Sequence, residues 1–205
     1  MMELFVSAFV TFLVVIDPPG CAPIFASLTN KATPQHRRAL ALRSVAIAAG
    51  ILIFFALLGR DLLHALGISL NSFRIAGGLL LFLIAVDMVF EKRTERREDR
   101  AEEVVREKQE DITVFPMAIP MIAGPGSIAS VMLQMARSDT WTERFIVWGA
   151  LGATLLLTLI CLLLAGPLMK LLGQKMEAMI TRLLGVILAA LAVQFVVDGI
   201  QRSFF

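Results

Sequence analysis

The sequence predicts an all-α transmembrane protein: a six-helix polytopic bundle built from two inverted three-helix repeats, the first helix of each broken by proline and glycine. Three observations carry this. The 205 residues are 58% hydrophobic with a mean hydropathy of +0.79, far too apolar for a soluble domain of this size. Six apolar segments of about 20 residues or more recur along the chain, each long enough to cross a ~30 Å hydrocarbon core as helix. Two of the six carry backbone breaks at matching places.

The segments run roughly Leu4–Leu28, Ala39–Leu58, Leu70–Phe90, Ile112–Met135, Phe145–Leu168 and Met179–Ile200. Charges such as Arg43, Arg74, Arg182 and Asp198 sit near their ends, where long basic side chains snorkel to water. Trp141 and Trp148 open the fifth, as an interfacial aromatic belt does. Glu3 stands where a cleaved signal would have a basic region, so the N-terminal segment reads as a retained span. Cys21 and Cys161 both fall in apolar segments without metal-ligand spacing and read as small packing residues.

Charge fixes an orientation. With the N-terminus outside, the inner loops hold Lys31, Arg37, Arg38 and Arg43, then Lys92, Arg93, Arg96, Arg97, Arg100, Arg106 and Lys108, then Lys170, Lys175 and Arg182. These outnumber Arg60, Arg74, Arg137, Arg144 and Arg202 on the outer side. The positive-inside rule then places both termini outside the cytoplasm. The longest polar stretch, 91–111, reads as a cytoplasmic linker between repeat 1 (about 1–90) and repeat 2 (about 112–205) of a single membrane domain. Pairs such as Glu102 and Arg106, four residues apart, would support a solvated helix there.

The repeat rests on three aligned motifs. Pro19-Gly20-Cys21 matches Pro125-Gly126-Ser127, Gly59 with Leu62-Leu63 matches Gly166 with Leu168-Met169, and Arg74-Ile75-Ala76-Gly77 matches Arg182-Leu183-Leu184-Gly185. The offsets are 106, 107 and 108 residues. Each half has an odd number of spans, so the second enters the membrane in the opposite sense.

The breaks read Asp17-Pro18-Pro19-Gly20-Cys21-Ala22-Pro23 and Pro116-Met117-Ala118-Ile119-Pro120, then Ala123-Gly124-Pro125-Gly126-Ser127. Proline removes a donor and clashes with the preceding turn, and glycine loosens the chain. The first break begins about 21 Å along its helix, near mid-membrane. Each break leaves carbonyls open on one half-helix and N–H groups open on the next. Such termini suit a small zwitterion, with the N–H groups holding its carboxylate and the carbonyls its ammonium or a coupling cation.

The candidate binding residues are Asp17, Pro18, Gly20, Cys21, Pro23, Pro120, Gly124, Pro125, Gly126 and Ser127. Asp17, an ionisable group at membrane depth, is read both as a functional carboxylate and as the cap of the second half-helix, with Pro18 at its first position. Ser127 is read as a site donor or as a local cap. Arg74 and Arg182, at equivalent places in the repeats, are candidate gates or interfacial anchors. Gln134 and Gln194 line a path or bond between helices; Gly77-Gly78 and Gly149-x-x-Gly152 permit close helix packing. The chain carries no metalloprotease, hydrolase or phosphate-loop motif, so no enzyme, cofactor, metal or nucleic-acid partner is expected.

Long motifs around these residues resemble the MarC family of bacterial and archaeal inner-membrane proteins. They are Asp17 to Phe25 followed by Ser27-Leu28-Thr29, Ser72 to Gly78, Ala118 to Gly126, and Thr181-Arg182-Leu183-Leu184-Gly185. The resemblance covers essentially the whole chain. One departure is Pro19-Gly20-Cys21, where many members carry Leu-Gly-Asn; the change removes an amide beside the break. The resemblance implies a multi-pass protein of the bacterial plasma membrane, in a superfamily of small-solute exporters of the lysine-exporter type, one branch of which is described as neutral amino acid transporters.

The residues and the resemblance together lead to an expected secondary transporter or exporter of small zwitterionic solutes such as neutral amino acids. It would work by alternating access around the two broken helices, with H+ or Na+ as coupling ion and a homo-oligomer conceivable. Two other readings stand beside it: a translocase for lipids or lipid-linked carriers, and a non-transporting membrane scaffold or regulator acting through 91–111.

Overall fold

The computed structural model describes residues 1–30, 32–106 and 111–204. Lys31 and Lys108 of the charge pattern lie outside the described residues, as do the side chains of Arg100, Glu102, Arg106 and Lys175. The described chain is helical throughout. Its elements are α1 (Met2–Ile16), α2 (Pro18–Leu28), α3 (Pro34–Ala65), α4 (Leu70–Val89), α5 (Lys92–Arg106), a proline segment (Thr113–Ile122), α6 (Pro125–Ala136), α7 (Trp141–Leu163) and α8 (Ala165–Phe204).

Local chemistry sets the boundaries. Thr33 caps α3 by accepting from His36 N, with Pro34 at the first helical position, where its missing N–H costs nothing. Ser69 caps α4 through Ser72 N. At α7 the Thr140 hydroxyl accepts from Glu143 N while the Glu143 carboxylate accepts from Thr140 N, a reciprocal capping box. Gly67, at φ +68, lets the chain leave α3. α7 stops at Leu163 rather than continuing to Leu168, because Pro167 cannot sit in a helix interior and instead lies in the first turn of α8. α8 itself is interrupted at Gly173, whose φ of 69 and ψ of 164 only glycine adopts readily.

Five described segments are long and apolar enough to span a membrane, and a sixth is added if the proline segment and α6, bent by 52°, make one span. α1 and α2 together make the first span, Met2–Leu28. The all-helical, multi-pass character expected from hydropathy is therefore observed.

α1 sits at the centre. One core cluster joins its Phe12 and Ile16 to Phe25, Leu52, Met117 and Leu162, and a second joins its Val14 and Val15 to Leu81, Met88, Leu133, Leu188 and Phe195. α4 packs along α8. A methyl added at Gly78 would meet Val196 at 2.7 Å, and one at Gly185 would meet Met88 Cβ at 2.9 Å, so small residues set this close approach. Gly77 is similarly tight against Leu133. Gly149 and Gly152 are not: a methyl at Gly149 would only touch Phe5 at 3.9 Å, and Gly152 has open space among the described residues. The expected packing role of that pair is corrected, because α7 turns this face away from its neighbours. Large apolar side chains such as Leu57, Leu83, Leu156 and Val186 are exposed on the outside, a surface suited to acyl chains rather than water.

Candidate functional site

The first break turns on Asp17. It ends α1 in the left-handed conformation, φ 58 and ψ 66, which Asp tolerates better than most residues. Its Oδ1 accepts from Gly20 N at 3.2 Å, capping α2, and Pro18 at the first position has no N–H to satisfy. A side chain on Gly20 would collide with this carboxylate and with Arg97 Nη1. Only glycine leaves room for both.

The carbonyls freed at the end of α1 are met by protein. Arg93 donates from Nη2 to Val15 O at 2.6 Å, Arg97 from Nη2 to Ile16 O at 3.4 Å, and the Cys21 thiol to Ile16 O at 3.5 Å. Arg97 also donates from Nη1 to Asp17 Oδ2 at 2.9 Å. Thr181 of α8 lies 3.4 Å from Asp17 Oδ1 and 3.2 Å from Glu177 Oε1. Asp17, Arg97, Glu177 and Thr181 are all buried. Asp17 is thus a helix cap, one of the two roles read from the sequence, and also half of a buried ion pair that the sequence did not point to.

Arg93 and Arg97 come from the polar stretch 91–111, which was expected to be a linker. They were missed as site residues. Their signal was the spacing of four, which puts both on one face of α5.

The second break uses proline. Phe115 and Ile119 are extended, at φ −123 and −124, as residues preceding Pro116 and Pro120 must be. Gly124 is extended and Pro125 starts α6. Ile128 N returns to Gly124 O at 3.0 Å, which leaves the N–H groups of Gly126 and Ser127 without an intrahelical acceptor. A methyl at Gly126 would meet Ile84 Cδ1 at 2.5 Å and Val15 Cγ1 at 3.2 Å. This glycine lets the start of α6 press against α1 and α4.

A cavity of about 240 Å³ lies where these parts meet. It is walled by Val15, by Leu80, Ile84 and Asp87 of α4, by Arg93, Arg96 and Arg97, by Pro116, Pro120 and Met121, and by Gly124, Pro125, Gly126 and Ser127. Half of the sequence-predicted residues therefore line one space. Asp17, Pro18, Gly20, Cys21 and Pro23 lie outside this lining, on the α2 side, with Asp17 joined to it through Arg97. Arg96 pairs with Asp87 at 2.5 Å. Burial, and then the charge of Arg97, push the Arg93 guanidinium down to about 10, so it remains a cation at neutral pH.

Arg74 and Arg182 stand apart from the cavity. Arg74 is buried and donates to Asn71 Oδ1 at 3.1 Å and to Ala136 O at 3.4 Å, closing the carbonyl end of α6. Arg182 pairs with Glu91. Gln134 bonds between helices, to Thr11 Oγ1 at 3.1 Å, whereas Gln194 bonds within α8 to Asp198. Cys21 and Cys161 are unpaired, and among the described residues no group of three or more His, Cys, Asp or Glu side chains could hold a metal.

Comparison with known proteins decides the family. The family described as MarC family integral membrane protein matches residues 2–204. The chain belongs to the MarC family. Its relatives include the UPF0056 membrane protein MJ1677 of Methanocaldococcus jannaschii, 36% identical over 98% of each chain. A UPF0056 membrane protein of Archaeoglobus fulgidus is also 36% identical, over 98% of this chain and 94% of its own. The UPF0056 membrane protein YhcE of Escherichia coli is 34% identical over 96% of this chain and 91% of its own. No solved structure matches. The MarC assignment makes the chain an integral membrane protein, in keeping with its apolar helices.

Proposed function

We propose that this MarC-family chain is a secondary transporter or exporter of small zwitterionic solutes, neutral amino acids among them. The observation that carries this reading is a cavity that brings the second break, Pro120 and Gly124–Ser127, against Val15 near the end of α1, with Arg93 and the Arg96–Asp87 pair in its wall. At about 240 Å³ it is smaller than the 300–1,000 Å³ of drug-sized pockets and fits a solute of a few heavy atoms.

The two halves act as inverted repeats, and alternating access rocks one against the other around the broken helices. The aligned motifs and the paired breaks support this. The chain has no nucleotide-binding motif, so an H+ or Na+ gradient drives the cycle. The protein sits in the bacterial inner membrane with both termini outside and α5 on the cytoplasmic face.

The test is flux in proteoliposomes with labelled alanine, glycine and serine under imposed proton or sodium gradients. Gradient-dependent flux supports the reading. Silence across the panel, with folded protein, would refute it in favour of a translocase for lipids or lipid-linked carriers, or a scaffold.

A further inference from the structure

Among the described residues, Arg93 is the cavity guanidinium without a carboxylate partner. Of the three guanidiniums lining it, Arg96 is paired with Asp87 and Arg97 with Asp17. Arg93 gives one N–H to Val15 O and one to Met88 Sδ, and among the described residues it has no carboxylate partner. A guanidinium has five N–H donors, so most of its donors remain available beside the cavity. A desolvated cation without a counter-ion is costly, and the cost is relieved when an anion is bound.

Another part of the same lining makes the same demand. The N–H groups of Gly126 and Ser127 have no intrahelical acceptor, and the helix start carries partial positive charge. Two independent features, a half-buried cation and an open helix N-terminus, thus line one space with room for a small group. One unmatched charge calls for a monoanion. Planar bidentate geometry, which guanidinium forks match, favours a carboxylate. The neighbouring walls, Val15, Ile84 and Met121, are apolar and suit a short side chain.

We propose that Arg93 and the first turn of α6 form a carboxylate-binding subsite, so that the solute is recognised by its carboxylate and Arg93 is the specificity-determining residue. The inference rests on the reading of this cavity as the solute site.

Calorimetric titration of the purified full-length protein in nanodiscs tests it, with L-alanine, L-alaninamide, acetate and inorganic phosphate as probes. Alanine and acetate bind, and alaninamide binds at least about tenfold more weakly, the size expected for losing a charge-assisted pair. Arg93→Gln weakens alanine and acetate by a similar factor, while Arg93→Lys restores part of the affinity. Because Arg93 also holds Val15 O, thermal unfolding of each variant is measured alongside; the comparison of alanine with alaninamide on the unaltered protein needs no variant. The subsite is overturned if alaninamide matches alanine, if phosphate binds better than acetate, if a folded Arg93→Gln binds undiminished, or if folded protein binds no probe. Carboxylate binding without flux would refute only the transport reading. Gradient-driven flux of alanine and alaninamide alike would refute only the subsite.

Discussion

Arg97 and Asp17, 80 residues apart in sequence, form a buried ion pair at 2.9 Å. It ties a highly charged loop helix to the carboxylate at the break of the first span. The pair does structural work at both ends, since Asp17 also caps α2 and Arg97 also closes the last carbonyl of α1. Arg93, Arg96 and Arg97 of α5 are therefore part of the site wall, and their removal would uncover polar backbone as well as a charge.

Asp17→Asn keeps a capping oxygen but leaves Arg97 uncompensated. Breaking one side of a buried pair costs about 3–5 kcal/mol, so thermal unfolding in detergent should shift sharply downward. Adding Arg97→Gln to Asp17→Asn should recover part of the loss. Strict additivity in that double-mutant cycle would show that the two side chains are not coupled.

Gly20→Ala and Gly152→Ala make a matched contrast. The first places a methyl onto the Asp17 carboxylate and Arg97, whereas the second points into open space. Gly20→Ala should destabilise by about 1–3 kcal/mol through overpacking. Gly152→Ala should be neutral or slightly stabilising, since alanine is the better helix former by about 1 kcal/mol. Equal effects would mean that Gly20 is not held against the ion pair.

Much of this was legible in sequence. Hydropathy located the spans, and the proline and glycine clusters located both breaks, because missing donors and forbidden conformations are written in residue type. The walls drawn from α4 and α5 were not legible. Asp87, Arg93 and Arg96 look like ordinary loop-end charges until α5 folds back onto α4 and the proline segment, a long-range packing event without local signature. Thr181 and Glu177 were hidden for the same reason: their partner Asp17 lies 164 residues from Thr181. Arg74 and Arg182 show the converse. Equivalent places in the two halves led to different partners, one a helix-end carbonyl and the other Glu91.

Asp111 introduces the proline segment. Its carboxylate accepts from Thr113 N at 2.9 Å and from the Thr113 hydroxyl, and these bonds hold it below the usual carboxylate range. A depressed folded value means that the contribution is present above the unfolded pKa of about 3.9 and lost as pH falls through the folded one. The protection factor of the Thr113 amide, its exchange corrected for the intrinsic rate at each pH, should therefore fall on acidification below about pH 4. Asp111→Asn should remove that acid step; if it persists unchanged, the carboxylate is not its source.

Arg93 makes the carboxylate subsite sensitive to alkali. Its folded pKa is depressed to about 10, by burial first and the charge of Arg97 second. For a base this means that the unfolded chain binds more protons between about pH 10 and the ordinary guanidinium value, so deprotonation in that window adds to the stability of the unliganded protein. Acetate works the other way, because it favours the charged form and raises the Arg93 pKa when bound. Acetate affinity should be flat from about pH 7 to 9 and then fall towards tenfold per unit above about pH 10. Titration calorimetry at three pH values reads this directly, with unfolding temperatures confirming intact protein. In Arg93→Gln the acetate affinity, weakened about tenfold at neutral pH, should lose the alkaline fall. A fall that survives in that variant would assign the titration to another group and remove Arg93 from the subsite.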